Sequence, residues 1–126
     1  MLINIAEQYY DVELVRDKHW SLNGEISYDK NLIQVRSDLP EQRKQQIFAH
    51  EILHGLLTES GADGVIRNST SPELKPQIIE NVIGVLESTF YQFLKIHSPH
   101  LFDELSELSE LSDEVKTKGE NNKRND

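Results

Sequence analysis

The chain has 126 residues, no cysteine and a net charge of −9 from 13 basic and 22 acidic side chains. This length indicates one domain, and the absence of cysteine excludes disulfide scaffolds, thiolate metal sites and cysteine nucleophiles. The acidic balance disfavours a nucleic-acid partner, and without a secretory signal or long apolar run we expect a cytoplasmic protein that does not bind membranes.

The N-terminal third of the sequence contains one clear structural signal. The first twenty residues fit either a short helix or an extended stretch. Residues 24–28 and 32–36 alternate apolar and polar side chains, and residues 29–31 have the composition of a turn. This pattern predicts a β-hairpin.

Two long helices are predicted in the middle of the chain. The first follows Asp38, which is suited to cap it, and runs to about Glu59, where glycines end it. Residues 60–73 are predicted to form a polar loop. The second helix begins within residues 71–76 and runs to about His97, with apolar residues at helical spacing.

A third helix is predicted from Ser98 and Pro99 onward, with leucines at roughly heptad spacing. Two interpretations stay open for it: an amphipathic helix packed on the domain, or a helix for self-association or partner contact. Residues 1–108 are predicted to form the domain, and residues 109–126 a frayed or disordered polar tail. The predicted fold is α+β, a small antiparallel β-sheet packed on two long helices, plus the C-terminal helix.

Residues 50–54 read His-Glu-Ile-Leu-His, an H-E-x-x-H motif inside the first predicted helix. Residues four apart lie on one helix face, so His50 and His54 can bind one Zn²⁺ ion. Glu51 is suited to be the catalytic base, which activates a zinc-bound water for attack on a carbonyl. A chance match is the alternative. The apolar residues on both sides of the motif argue against it, because burying these polar groups without compensation is costly.

A catalytic zinc site needs a third protein ligand. The second predicted helix offers Glu80 and Glu87. If that helix returns antiparallel, Glu80 lies beside His54, whereas Glu87 lies about 10 Å further along the axis. We therefore predict Glu80 as the third ligand, with Asp63 and Glu73 as weaker candidates. Glu87 is interpreted as a residue that contacts a ligand or as a solvated carboxylate.

Other polar residues carry weaker signals. Tyr28 and Tyr91 are candidates for a phenol donor to a developing oxyanion, although packing is the favoured interpretation of both. His19, His97 and His100 have no motif spacing and are interpreted as surface residues.

The order of hairpin, H-E-x-x-H helix and acidic helix resembles the ImmA/IrrE family, small zinc metallopeptidases common in phages and mobile elements. The resemblance covers residues 20–97, and its most specific motif is H-E-x-x-H. It implies a zincin-like fold in which His50, His54 and Glu80 bind zinc and Glu51 is the base. It also implies that the substrate is a protein, such as a phage or mobile-element regulator.

Three hypotheses about function follow. The first is a zinc metalloendopeptidase with a protein or peptide substrate. The second is a protein-binding module on a zincin scaffold, of toxin–antitoxin or anti-repression type, with little or no proteolysis. The third keeps the metal but changes the bond that is hydrolysed. Many relatives carry a DNA-binding domain for which these 126 residues have no room, so we expect the substrate to be a separate protein.

Overall fold

A computed structural model describes the backbone of residues 1–17 and 19–124, and the side chains of all of these except residue 67 and residues 112–124. In this part of the chain, four strands are followed by four helices. They are β1 (Leu2–Ile5), β2 (Gln8–Val15), β3 (Gly24–Ser27), β4 (Leu32–Arg36), α1 (Glu41–Glu59), α2 (Ala62–Ser69), α3 (Lys75–His97) and α4 (Pro99–Arg124). The strands form one sheet, and the predicted α+β class is confirmed.

The sheet is mixed, with the strand order β1-β2-β4-β3. β3 and β4 form the predicted hairpin, with Ile26 opposite Ile33, and β1 pairs antiparallel with β2. β2 and β4, however, run parallel, so the prediction of an antiparallel sheet is wrong for the central pair. Alternation along a strand shows which side chains share a face, but it does not reveal the direction of the neighbouring strand.

The ambiguous N-terminal residues form the β1–β2 hairpin. Ile3 and Ile5 are buried and alternate with exposed neighbours, so the short-helix alternative is wrong. Ala6 and Glu7 form the turn with φ values of 48° and 74°, and the Asn4 side chain accepts a hydrogen bond from the Glu7 amide at 2.8 Å. Two successive positive φ values are typical of the tight turns that join antiparallel strands.

The core lies between one face of the sheet and the helices. α1 packs directly on the sheet, and Gly55 lies at the closest approach. A Cβ atom there would be 3.0 Å from Ile5 and 3.1 Å from Ile26, so a glycine lets α1 come near the sheet. The largest fully buried side chains are Tyr10, Phe48, Ile5, Ile33, Ile83, Leu105, Val12 and Val35.

The region around α2 differs most from its prediction. Residues 60–73 are not entirely a loop, because Ala62–Ser69 form α2. A helix of eight residues with a glycine in it has too few turns to produce a periodic pattern. The N-cap of α1 also differs: Pro40 occupies it without a side-chain hydrogen bond, and Asp38 instead lies 3.8 Å from Arg36.

α4 packs on the domain through its first three turns. Phe102 and Leu105 are buried in the core. Lys44 of α1, 7% exposed, donates a hydrogen bond to Ser109 Oγ at 3.0 Å, and Ser106 Oγ donates one to Glu41 at 3.0 Å. This part of α4 fits the interpretation of an amphipathic helix packed on its own domain, while its self-association stays a prediction.

The backbone of α4 is helical to Arg124, further than the sequence indicates. The side chains of residues 112–124 and all of residues 125 and 126 lie outside the described part. The division into a domain at 1–108 and a tail at 109–126 therefore stays a prediction. Among the described helices, none has an apolar segment long enough to span a bilayer.

Candidate metal centre

The three predicted metal ligands meet between α1 and α3. His50 and His54 lie one turn apart on α1, with ring centroids 5.0 Å apart. Glu80 of α3 lies opposite them: its Oε1 is 3.0 Å from His54 Nε2, and its Oε2 is 3.9 Å from His50 Nε2. One ligand atom from each residue lies within 4.8 Å of the others. The antiparallel return of α3 therefore brings Glu80 to the position that the sequence predicts.

The donor atoms of this cluster, two imidazole nitrogens and a carboxylate oxygen, are of the kinds that could hold a metal ion. Ligand atoms about 2.0–2.1 Å from one ion at tetrahedral angles lie about 3.4 Å from each other. The distances of 3.0 and 3.9 Å end on two different oxygens of Glu80, and the three ligand atoms lie within 4.8 Å of one another. Burial lowers the pKa of His54, against the opposing field of Glu80, and so favours the neutral ring that binds metals. Two imidazoles and one carboxylate are the ligand set of several catalytic zinc sites.

Glu51 lies against β3 and is only 7% exposed. A Cβ atom at Gly24 of β3 would be 3.4 Å from the Glu51 side chain. Burial raises the pKa of Glu51 to about 7; His50 opposes this shift, and the charges of Glu80 and Glu25 reinforce it. A carboxyl group that titrates near neutral pH can both accept a proton and return it.

Glu87 lies on the other side of His50. Its Oε2 is 2.9 Å from His50 Nδ1, whereas Nε2 of the same ring faces Glu80 at 3.9 Å. The structure thus places Glu87 against a predicted ligand, one of the two positions that the sequence leaves open for it.

The weaker ligand candidates are outside the cluster. Asp63 forms an ion pair with Lys75 at 3.0 Å, which joins α2 to α3. Glu73 is exposed in the connection before α3. Tyr91 is buried, and its hydroxyl donates a hydrogen bond to Gln45 Oε1 at 2.8 Å, as expected for a packing residue.

The remaining histidines also lie apart from the cluster. His19 and His97 are exposed, and the His97 ring packs on Phe93 with centroids 4.4 Å apart. His100 is exposed as well and borders a cavity near β1. Within the described residues, none of these histidines belongs to a group able to hold a metal.

Two cavities flank the ligand cluster along the groove between α1 and α3. The cavity beside His54 and Glu80 has a volume of about 340 Å³. Its apolar lining residues are Leu57, Pro72, Pro76 and Ile79. Tyr28 also lines it, with its hydroxyl 3.4 Å from the His54 carbonyl oxygen, and burial raises the pKa of this phenol. The cavity beside His50 has a volume of about 280 Å³ and contains Arg43.

Comparison of the chain with protein-family models, curated proteins and solved structures gave no match. The resemblance to the ImmA/IrrE family therefore stays a prediction that rests on the motifs of the chain itself. The approach of Gly24 to Glu51 was missed at the sequence level. A glycine at the start of an alternating strand is a signal of close approach that could have indicated it.

Proposed function

We propose that the chain is a zinc-dependent metalloendopeptidase of the ImmA/IrrE type that cleaves a protein substrate, with Glu51 as its catalytic base. The observation that carries the proposal is the cluster of His50, His54 and Glu80, whose ligand atoms lie within 4.8 Å of one another beside a buried glutamate. H-E-x-x-H on a helix with a glutamate from a following helix is a zincin arrangement. A zinc ion bound by these residues supplies Lewis-acid polarisation of the scissile carbonyl.

The acid–base work falls to Glu51. Its carboxylate accepts a proton from the attacking water and then returns it to the amine that leaves. In the metal-free protein burial raises the pKa of Glu51 to about 7, which favours uptake of a proton by this carboxylate. Tyr28 borders the same groove and is a candidate donor to the oxyanion.

The position of β3 supports a polypeptide substrate. β3 is an edge strand of the sheet, and its Gly24 lies next to Glu51. An edge strand offers free backbone groups to which an extended peptide can add as a further strand. The cavity beside His54 suits an apolar side chain of such a peptide, since Leu57 and Ile79 line it.

Metal content is the first test. We expect about one zinc per chain in wild-type protein purified without chelator, as for a single catalytic site. His50→Ala and Glu80→Ala should lose it. His97→Ala is the matched control, since it removes an exposed histidine of α3 away from the cluster and should retain the metal. A wild-type protein that holds no metal even after zinc is supplied would contradict the proposal.

Cleavage is the second test. The zinc-loaded protein is incubated with a proteome-derived peptide mixture, and new termini are identified by mass spectrometry. We expect Glu51→Gln to keep zinc and fold but to lose cleavage, because glutamine cannot accept the proton. Equal cleavage by Glu51→Gln and the wild type would rule out Glu51 as the base.

A protein-binding module without cleavage is the second candidate. Exposed apolar side chains on α3 favour it: Val85 is 78%, Phe93 54% and Ile96 73% exposed. At helical spacing these three residues lie within about 80° of one another around α3, and exposed apolar residues on one face often mark interaction surfaces. This candidate predicts a stoichiometric complex that persists in Glu51→Gln and contains no cleaved product, whereas the peptidase predicts product that depends on Glu51.

A further inference from the structure

We infer that Glu87 is a positioning residue, which holds the His50 ring in the tautomer and orientation needed to bind a metal through Nε2. The inference rests on the proposed metal site and extends it beyond the three ligands. Its basis is the 2.9 Å contact between Glu87 Oε2 and His50 Nδ1.

The contact determines which nitrogen of His50 carries the hydrogen. An ionised carboxylate only accepts hydrogen bonds, so a neutral ring donates to Glu87 through Nδ1–H. The lone pair then resides on Nε2, the atom that lies 3.9 Å from Glu80 Oε2. Glu87 thus selects the tautomer in which His50 can bind an ion on the side of Glu80.

The geometry also shows that Glu87 is not itself a fourth ligand. The two ring nitrogens of His50 point in different directions. A carboxylate at Nδ1 therefore lies across the ring from an ion at Nε2. Glu87 is also absent from the group of residues whose ligand atoms lie within 4.8 Å of one another. It acts on the ion only through His50.

The spacing of α3 explains why one helix can supply both groups. Glu80 and Glu87 are seven residues apart, which is about two turns or 10 Å of helix. His50 and His54 are four residues apart, about 6 Å along α1. Because α3 runs antiparallel to α1, Glu80 meets the cluster near His54, and Glu87 reaches the far side of His50.

His54 provides an internal comparison. Its described contact with a carboxylate is the one from Nε2 to Glu80 Oε1 at 3.0 Å. Within the described part of the chain, no carboxylate contacts its Nδ1. Glu87 therefore orients His50 alone. Removing the Glu87 carboxylate should disturb the His50 ring and leave His54 in place.

Carboxylates that orient a ligating histidine also make the ring more basic, and their removal commonly lowers metal affinity 10- to 100-fold. The experiment measures the zinc dissociation constant by chelator competition for the wild type, Glu87→Gln and Glu87→Ala. We expect a loss of about 10- to 100-fold for Glu87→Ala and a smaller loss for Glu87→Gln, which keeps an acceptor for Nδ1–H. Glu107→Ala, which removes an exposed glutamate of α4, should have wild-type affinity.

A second readout reports the tautomer without any metal. Nitrogen-15 NMR of the imidazole rings at pH 8 should show His50 as the Nδ1–H tautomer in the wild type and as a mixture in Glu87→Ala. Wild-type zinc affinity in Glu87→Ala, or an unchanged tautomer, would overturn the inference. If the wild type binds no zinc, the proposed function fails, and the tautomer measurement still decides whether Glu87 positions His50.

Discussion

The buried carboxyl group of Glu51 should make the metal-free protein less stable at neutral pH than a variant with glutamine at this position. Glu51 is 7% exposed, and burial raises its pKa from 4.5 to about 7. At 1.36 kcal/mol per pKa unit, this difference corresponds to about 3 kcal/mol. Glutamine has a similar shape and no charge, so it avoids this cost.

The raised pKa of Glu51 determines how the free energy of unfolding changes with pH. The folded state binds a proton at Glu51 more tightly than the unfolded state does. The corresponding stability is fully present below pH 4.5 and is lost as the pH rises through about 7. Relative to the wild type, Glu51→Gln should therefore gain up to about 3 kcal/mol in unfolding free energy between pH 4 and pH 8.

Urea denaturation of both proteins in chelator, at several pH values from 4 to 8, measures this difference. Glu107→Gln is the control, because it removes an exposed carboxylate of the same type. With zinc added, the gain should shrink, since a bound cation stabilises the ionised form of Glu51. If the unfolding free energies of the wild type and Glu51→Gln in chelator change with pH in parallel, burial does not disfavour the ionised carboxylate of Glu51, and the reasoning is refuted.

Three further predictions concern other parts of the fold. Burial raises the pKa of Tyr10, whose hydroxyl donates a hydrogen bond to Glu59. The unfolded protein therefore loses this proton more readily than the folded one, and the free energy of unfolding should fall above about pH 10. Tyr10→Phe should reduce that fall in urea denaturation at alkaline pH. Gly24→Ala places a Cβ atom in steric conflict with the Ile47 side chain, and should cost about 1–3 kcal/mol in urea denaturation. Ile79→Asp puts a charge into the cavity beside His54 and Glu80. In a cleavage assay it should lower kcat/KM for peptides with apolar residues about 10-fold or more, while the zinc content is unchanged.

The two histidines of the candidate metal centre could be predicted from the sequence because their placement depends on local geometry. The positions of His50 and His54 follow from helical spacing alone. Glu80 needed one further assumption, that α3 returns antiparallel to α1 after the connection of residues 60–74. The two histidines therefore required no knowledge of long-range packing, whereas Glu80 required the packing of α3 on α1.

The features that were missed depend on contacts between distant segments. The parallel pairing of β2 with β4 is set by the path of the chain between them, which alternation does not encode. The approach of Gly24 to Glu51 depends on how α1 crosses beneath β3. The ion pair of Asp63 with Lys75 depends on α2, a helix too short for its pattern to be recognised.

The proposed metal ligands and the proposed base lie on different sides of α1. His50 and His54 lie on the side of α3, which supplies Glu80 and Glu87, whereas Glu51 lies against β3. Successive residues of a helix project about 100° apart, so adjacent positions can serve two different partners. A slip of α3 by one turn, about 5.4 Å, would move Glu80 away from His54 and break the three-residue cluster. Metal binding should therefore respond to changes in the α1–α3 interface, whereas changes in β3 should act mainly on the burial, and so on the pKa, of Glu51.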